Sequence, residues 1–125
     1  MDGGSGPCLT VPFLRELLRN LNSFRALYEN EGVDTISGPD GSEMSLWDIE
    51  YLREQCSPPN VSVRQADVIE LCIVQGYRER EVARILGVGS NTPVAIYATK
   101  GLTRIIKLID DGELPRYRNL SIGGS

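Results

Sequence analysis

Apolar residues recur at three- and four-residue steps near the start of the chain: Phe13, Leu14, Leu17, Leu18, Leu21, Phe24, Leu27 and Tyr28. At 3.6 residues per turn this spacing draws one stripe on a helix, predicted over about 11–30. Thr10 is placed to cap it, and Pro12 falls in the first turn, where its missing N–H costs nothing. In so short a chain the stripe is expected to face the core rather than a partner. The run Gly38-Pro39-Asp40-Gly41 then marks a turn. Thr35-Ile36 facing Glu43-Met44 would make a small hairpin around it, with a plain loop as the alternative. Ser45 followed by Asp48 reads as a capping box. It opens a helix over about 45–55, with Leu46, Ile49 and Leu52 inward and Trp47 expected in the core.

Pro58 and Pro59 break that helix and stiffen the link to the next one. A subdomain boundary is expected there. Three further helices are predicted: 63–75 ending at Gly76, 78–86 ending at Gly87, and 92–110. Val82, Ile85, Leu86, Val88 and Val94 form the expected apolar seam between the last two. Along the final helix Val94, Ala98, Gly101 or Leu102, Ile105 and Leu108 or Ile109 share one face, while Ile96 and Ile106 fall off it. That surface is wider than one short three-helix unit covers, so the N-terminal helices are expected to pack on it, with a weaker contact to a second copy. The expected fold is all-α: a flexible leader at 1–10, an N-terminal helical subdomain at 11–56, a second helical domain at 61–110, and a flexible tail at 111–125.

Composition narrows the chemistry. The chain has 125 residues, 41% hydrophobic and 24% charged, which suits one soluble domain. No apolar run approaches the ~18 residues of a membrane span, and the first ten residues lack the basic and apolar regions of a secretory signal. Three scattered cysteines, Cys8, Cys56 and Cys72, and the absence of histidine argue against a Cys/His zinc site and fit a reducing cytoplasm. No Ser-His or Cys-His pair can exist, so the reading is non-catalytic, with no cofactor or metal.

The net charge is −4, but it is unevenly spread. Val61 to Lys107 holds seven basic and four acidic residues, a local +3 inside an acidic chain. Such asymmetry is what a charged working surface produces. Within this stretch the sequence meets three local demands of a helix-turn-helix. Ala83 is small enough for a close helix crossing. Gly87 permits positive φ at the turn. Thr92-Pro93 starts the second helix with a cap and a proline at the first helical position.

From Val63 to Ile105 the chain resembles region 4 of bacterial sigma factors and the related domain of quorum-sensing-type (LuxR-type) response regulators. Arg64, Val68-Ile69, Leu71, Gly76, Val82-Ala83, Leu86-Gly87, Ser90 and Val94 carry the resemblance. The chain departs from the pattern at Arg78, where a Ser or Thr cap is usual, at Gly89, an extra turn residue, and along the apolar Ala95-Ile96-Tyr97-Ala98. Nothing before Ser57 resembles the promoter-melting part of a sigma factor.

The resemblance implies a DNA-binding transcription regulator of bacterial or bacteriophage type that docks on double-stranded DNA, and a surface for bacterial RNA polymerase. It implies that Asn91, Thr92, Ala95, Ile96 and Thr99 approach base edges, the apolar ones against thymine methyls. Arg78, Arg80, Lys100 and Arg104 would meet phosphates. A homodimer would suit palindromic half-sites. The rival readings are a protein–protein adaptor that binds polymerase or another regulator without reading DNA, and a phage packaging or assembly factor using the same fold.

Overall fold

The computed structural model describes residues 9–37, 43–89 and 92–114. It is mostly helical, with one two-stranded antiparallel sheet. Helix α1, Val11–Arg19, starts where expected: Thr10 Oγ1 accepts from the Phe13 amide at 3.3 Å. The long helix expected over 11–30 is instead two, with α2 spanning Leu21–Glu31. Asn20 makes the break. Its backbone leaves helical geometry (φ −98°, ψ 8°), and its Nδ2 donates to the Glu16 carbonyl at 2.9 Å. The Asn20 backbone amide donates to the same carbonyl at 3.1 Å, so side chain and main chain share one acceptor of α1. The apolar stripe runs through the break, since Leu14, Leu17, Leu18, Leu21 and Phe24 are all buried. Beyond it, Leu27 and Tyr28 are exposed.

Gly32 ends α2 at φ 73°. Strands β1, Thr35–Ser37, and β2, Glu43–Ser45, pair antiparallel with Ile36 opposite Met44. The hairpin expected from Thr35-Ile36 and Glu43-Met44 is therefore present. The turn expected at Gly38-Pro39-Asp40-Gly41 lies outside the described residues. Helix α3, Leu46–Gln55, opens on the capping box. Ser45 Oγ accepts from the Asp48 amide at 3.1 Å, and Asp48 Oδ2 accepts from the Ser45 amide at 3.2 Å. Leu46, Ile49 and Leu52 are buried as expected, but Trp47 is not a core residue. It lies on the outer side of α3, 40% exposed. There it meets Tyr28 edge-on, ring centroids 5.0 Å apart.

Helix α4, Val63–Val68, begins with a second capping box, in which Ser62 Oγ accepts from the Gln65 amide and Gln65 Oε1 accepts from the Ser62 amide, both at 3.0 Å. It continues without interruption into a π-helix over Ile69–Val74, which keeps Ile69, Ile73 and Val74 all inward. Arg53 clamps Glu70 through two hydrogen bonds of 3.0 and 2.7 Å and so ties α3 to the π-helix. Helix α5, Glu79–Leu86, ends at Gly87, where φ is 75°. The Val88 amide donates back to the Ala83 carbonyl at 2.9 Å, closing a left-handed cap that an L side chain would strain. Ile85, expected in the seam, is 57% exposed: α5 turns only Val82 and Ala83 fully inward.

Helix α6, Thr92–Asp110, matches its expected bounds. At 19 residues it is about 28 Å long. Val94, Ala98, Gly101, Leu102, Ile105 and Leu108 are its buried face. Helix α4 crosses it at Gly101, where a Cβ would come within 2.7 Å of Ile69 Cδ1 and 3.3 Å of Gln65 Cβ. Helix α1 packs on another side of α6 and on the π-helix. Buried residues from both sides of the Pro58-Pro59 step form one hydrophobic core, from Leu14 and Leu18 to Leu102 and Ile105. No described helix is long and apolar enough to cross a membrane.

Candidate nucleic-acid interface

The geometry of α6 follows from its buried face. A helix that hides residues 94, 98, 101, 102, 105 and 108 must present 96, 100, 103 and 107 on the opposite side. Ala95, Ile96, Thr99, Lys100, Thr103, Arg104 and Lys107 are indeed exposed. The outer face thus mixes small, hydroxyl and cationic side chains around one exposed isoleucine.

Two flanks border that face. On one, α1 approaches and Arg15 Nη2 donates to Thr99 Oγ1 at 3.1 Å. Arg15 and Arg19 lie near enough to Cys72 to favour its thiolate. Burial nonetheless dominates and pushes the Cys72 thiol up, with Glu79 adding to the rise. On the other flank, Lys100 and Arg104 reach an open groove of about 420 Å³. Pro59, Asn60, Val61, Ser62 and Gln65 complete its lining. Neither cation has an ion pair with a described residue. Other cations of the domain do find partners. Arg25 pairs with Glu50, Arg53 with Glu70 and Lys107 with Asp111. Arg64 donates to the Leu86 carbonyl at 3.3 Å, answering the exposed C-terminal end of α5.

The residues singled out from the sequence are distributed over this surface in three groups. Ala95, Ile96, Thr99, Lys100 and Arg104 lie together on α6, with Thr99 engaged by Arg15. Arg78 and Arg80 lie exposed at the amino end of α5, away from the turn that joins α5 to α6. Arg78 holds the capping position, yet a guanidinium has no acceptor to offer. The Arg78 amide instead donates to Glu81 Oε1, at 2.9 Å. Thr92 opens α6, with its side chain outside the described residues, and Asn91 lies outside them altogether.

Three contributors had no role in the sequence reading. Arg15 is far from Thr99 along the chain, and nothing local signals their meeting. Ser62 and Gln65 do carry a signal, the Ser-x-x-Gln pattern of a capping box, but that pattern announces a helix start and not a groove wall. Among the described residues no group of three or more His, Cys, Asp or Glu is arranged to hold a metal ion. The buried thiol of Cys56 donates to the Leu52 carbonyl and is pushed up to about 12 by burial and by the charge of Glu70, which makes it a poor nucleophile. Compared with known proteins, the chain matches no family model, no curated protein and no solved structure.

Proposed function

We propose that this chain is a DNA-binding transcription regulator that lays the outer face of α6 on double-stranded DNA, with α5, the Gly87 turn and α6 acting as a helix-turn-helix. The observation that carries the reading is the pair Lys100 and Arg104, exposed on α6 and without an acidic partner among the described residues of an acidic chain. Exposed cations with no acidic partner among the described residues are suited to phosphate. Ala95, Ile96 and Thr99 are small or apolar enough to approach base edges and thymine methyls. Arg78 and Arg80 would reach phosphates from the amino end of α5, and Asn91 and Thr92 would lie at the leading end of α6.

Binding of a random-sequence duplex, measured by fluorescence anisotropy across a salt series, tests this. Affinity should fall steeply as salt rises, with log K against log salt sloping at about −0.9 per phosphate neutralised. Absence of duplex binding at every salt concentration overturns the reading. Selection from a random DNA pool, repeated with Lys100→Ala and Arg78→Ala, tests the residue roles: unchanged sequences at unchanged strength remove them.

A second reading draws on Ile85 and Ile96, which are 57% and 44% exposed. Exposed isoleucines on the two helices of the unit favour an adaptor that docks on a protein such as RNA polymerase. Capture of polymerase by a variant that has lost all duplex binding would select it.

A further inference from the structure

The groove beside α6 has a chemical bias of its own. Among the described residues its polar lining consists of Asn60, Ser62, Gln65, Lys100 and Arg104, with no carboxylate among them. The capping box of α4 uses the acceptor side of two of these groups. Ser62 Oγ takes the Gln65 amide hydrogen, and Gln65 Oε1 takes the Ser62 amide hydrogen. What each has left is its donor: the Ser62 hydroxyl proton and the Gln65 Nε2 hydrogens. Asn60 turns its own Nδ2 away, toward the Gln55 carbonyl and Oε1. The crossing at Gly101 holds this wall close to Lys100 and Arg104, because the Cβ missing there lets α4 approach. Two cations and two neutral donors therefore border one space.

We propose that this groove is a phosphate clamp, in which Lys100, Arg104, Ser62 and Gln65 hold a phosphate group, the phosphodiester of a DNA backbone beside the face of α6. Two cations and two neutral donors, against the one amide oxygen of Asn60, favour an oxyanion over a cation. At about 420 Å³ the open groove has room for a phosphate with its attached sugar. In its choice of DNA as the source of that phosphate, the clamp rests on the function proposed above. The same chemistry would accept inorganic phosphate or the phosphate of a free nucleotide, and the test separates these sources.

The decisive variant is Gln65→Glu. A glutamate keeps the acceptor that the Ser62 amide uses, since Ser-x-x-Glu is itself a capping box. The fold is therefore retained, and a negative charge enters the groove. Anisotropy with a random-sequence duplex should show affinity reduced about tenfold or more, with the melting temperature unchanged or raised. Lys100→Gln with Arg104→Gln should flatten the salt slope by about one. If the parent chain binds duplex and both variants bind it equally well, the clamp is overturned while the DNA reading stands. If the parent chain binds no duplex, titration with inorganic phosphate and with a nucleoside monophosphate, followed by NMR, decides alone. Shifts at Ser62, Gln65, Lys100 and Arg104 that Gln65→Glu abolishes keep a phosphate site for a small ligand. Their absence removes it.

Discussion

Arg15 on α1 reaches Thr99 on α6 across 84 positions of sequence, its Nη2 donating to the threonine hydroxyl at 3.1 Å. This bond lets the amino-terminal part of the chain put a cation on the edge of the α6 face. It is exposed, so its removal should cost less than about 1 kcal/mol of stability. Its effect should appear in binding. Arg15→Gln should flatten the salt dependence of duplex affinity by about one phosphate equivalent while the melting temperature barely moves. An unchanged slope would place Arg15 outside the interface.

Gly101 sets the distance between α4 and α6. An alanine there brings a Cβ to 2.7 Å from Ile69 Cδ1, closer than packed carbons tolerate. In an unconstrained helix the same change gains about 1 kcal/mol of helix propensity. Overpacking of this kind typically costs about 1–3 kcal/mol, so Gly101→Ala should destabilise on balance. Urea unfolding should show a lower midpoint at unchanged slope. A raised midpoint would mean that Ile69 moves aside freely and that the crossing is looser than described.

Glu70 gives the protein an acid-sensitive window. Burial alone would raise its pKa, but hydrogen bonds from Arg53 and Gln75, with the charge of Arg53, outweigh this and hold it below the ordinary glutamate value. A lowered native pKa means that the unfolded chain takes up the proton first. The stabilisation is then complete above the ordinary value, about 4.3, and disappears as pH falls through the native one. Thermal melts should therefore decline with acid more steeply for the parent chain than for Glu70→Gln, which cannot titrate. Parallel declines would show that other carboxylates govern the acid limb.

Cys56 and Cys72 should separate in a thiol-labelling experiment. Cys56 is buried, with its thiol pushed up to about 12, whereas Cys72 is half-buried and only raised. Alkylation at neutral pH, followed by peptide mass spectrometry, should modify Cys72 slowly and leave Cys56 untouched until denaturant is added. Early labelling of Cys56 would reveal local opening at the end of α3.

Where the sequence was legible, the signal was local. The bounds of α6, the left-handed cap at Gly87, the capping box at Ser45 and the facing of Ile36 with Met44 each depend on residues within a few positions. Where it was not, the outcome depended on what covers a surface. Apolar spacing runs unbroken through Asn20, so periodicity joins two helices that the non-helical backbone of Asn20 divides. Spacing also places Trp47 in the core and Ile85 in the seam, yet both are exposed, since periodicity does not say how far a neighbouring element extends. The candidate surface divides in the same way. Exposure of Ala95, Ile96, Thr99, Lys100 and Arg104 follows from the α6 stripe, but the arrival of Arg15 and of the Ser62–Gln65 wall depends on how α1 and α4 cross α6.

The single core has a practical consequence for anyone wishing to transplant the proposed binding surface. Excising residues 61–110 would strip α1 from the side of α6 on which it packs and open the shared core to water. A fragment cut at the prolines should clump or lose its shape, and the outer face of α6 would keep its form only with the helices that precede it.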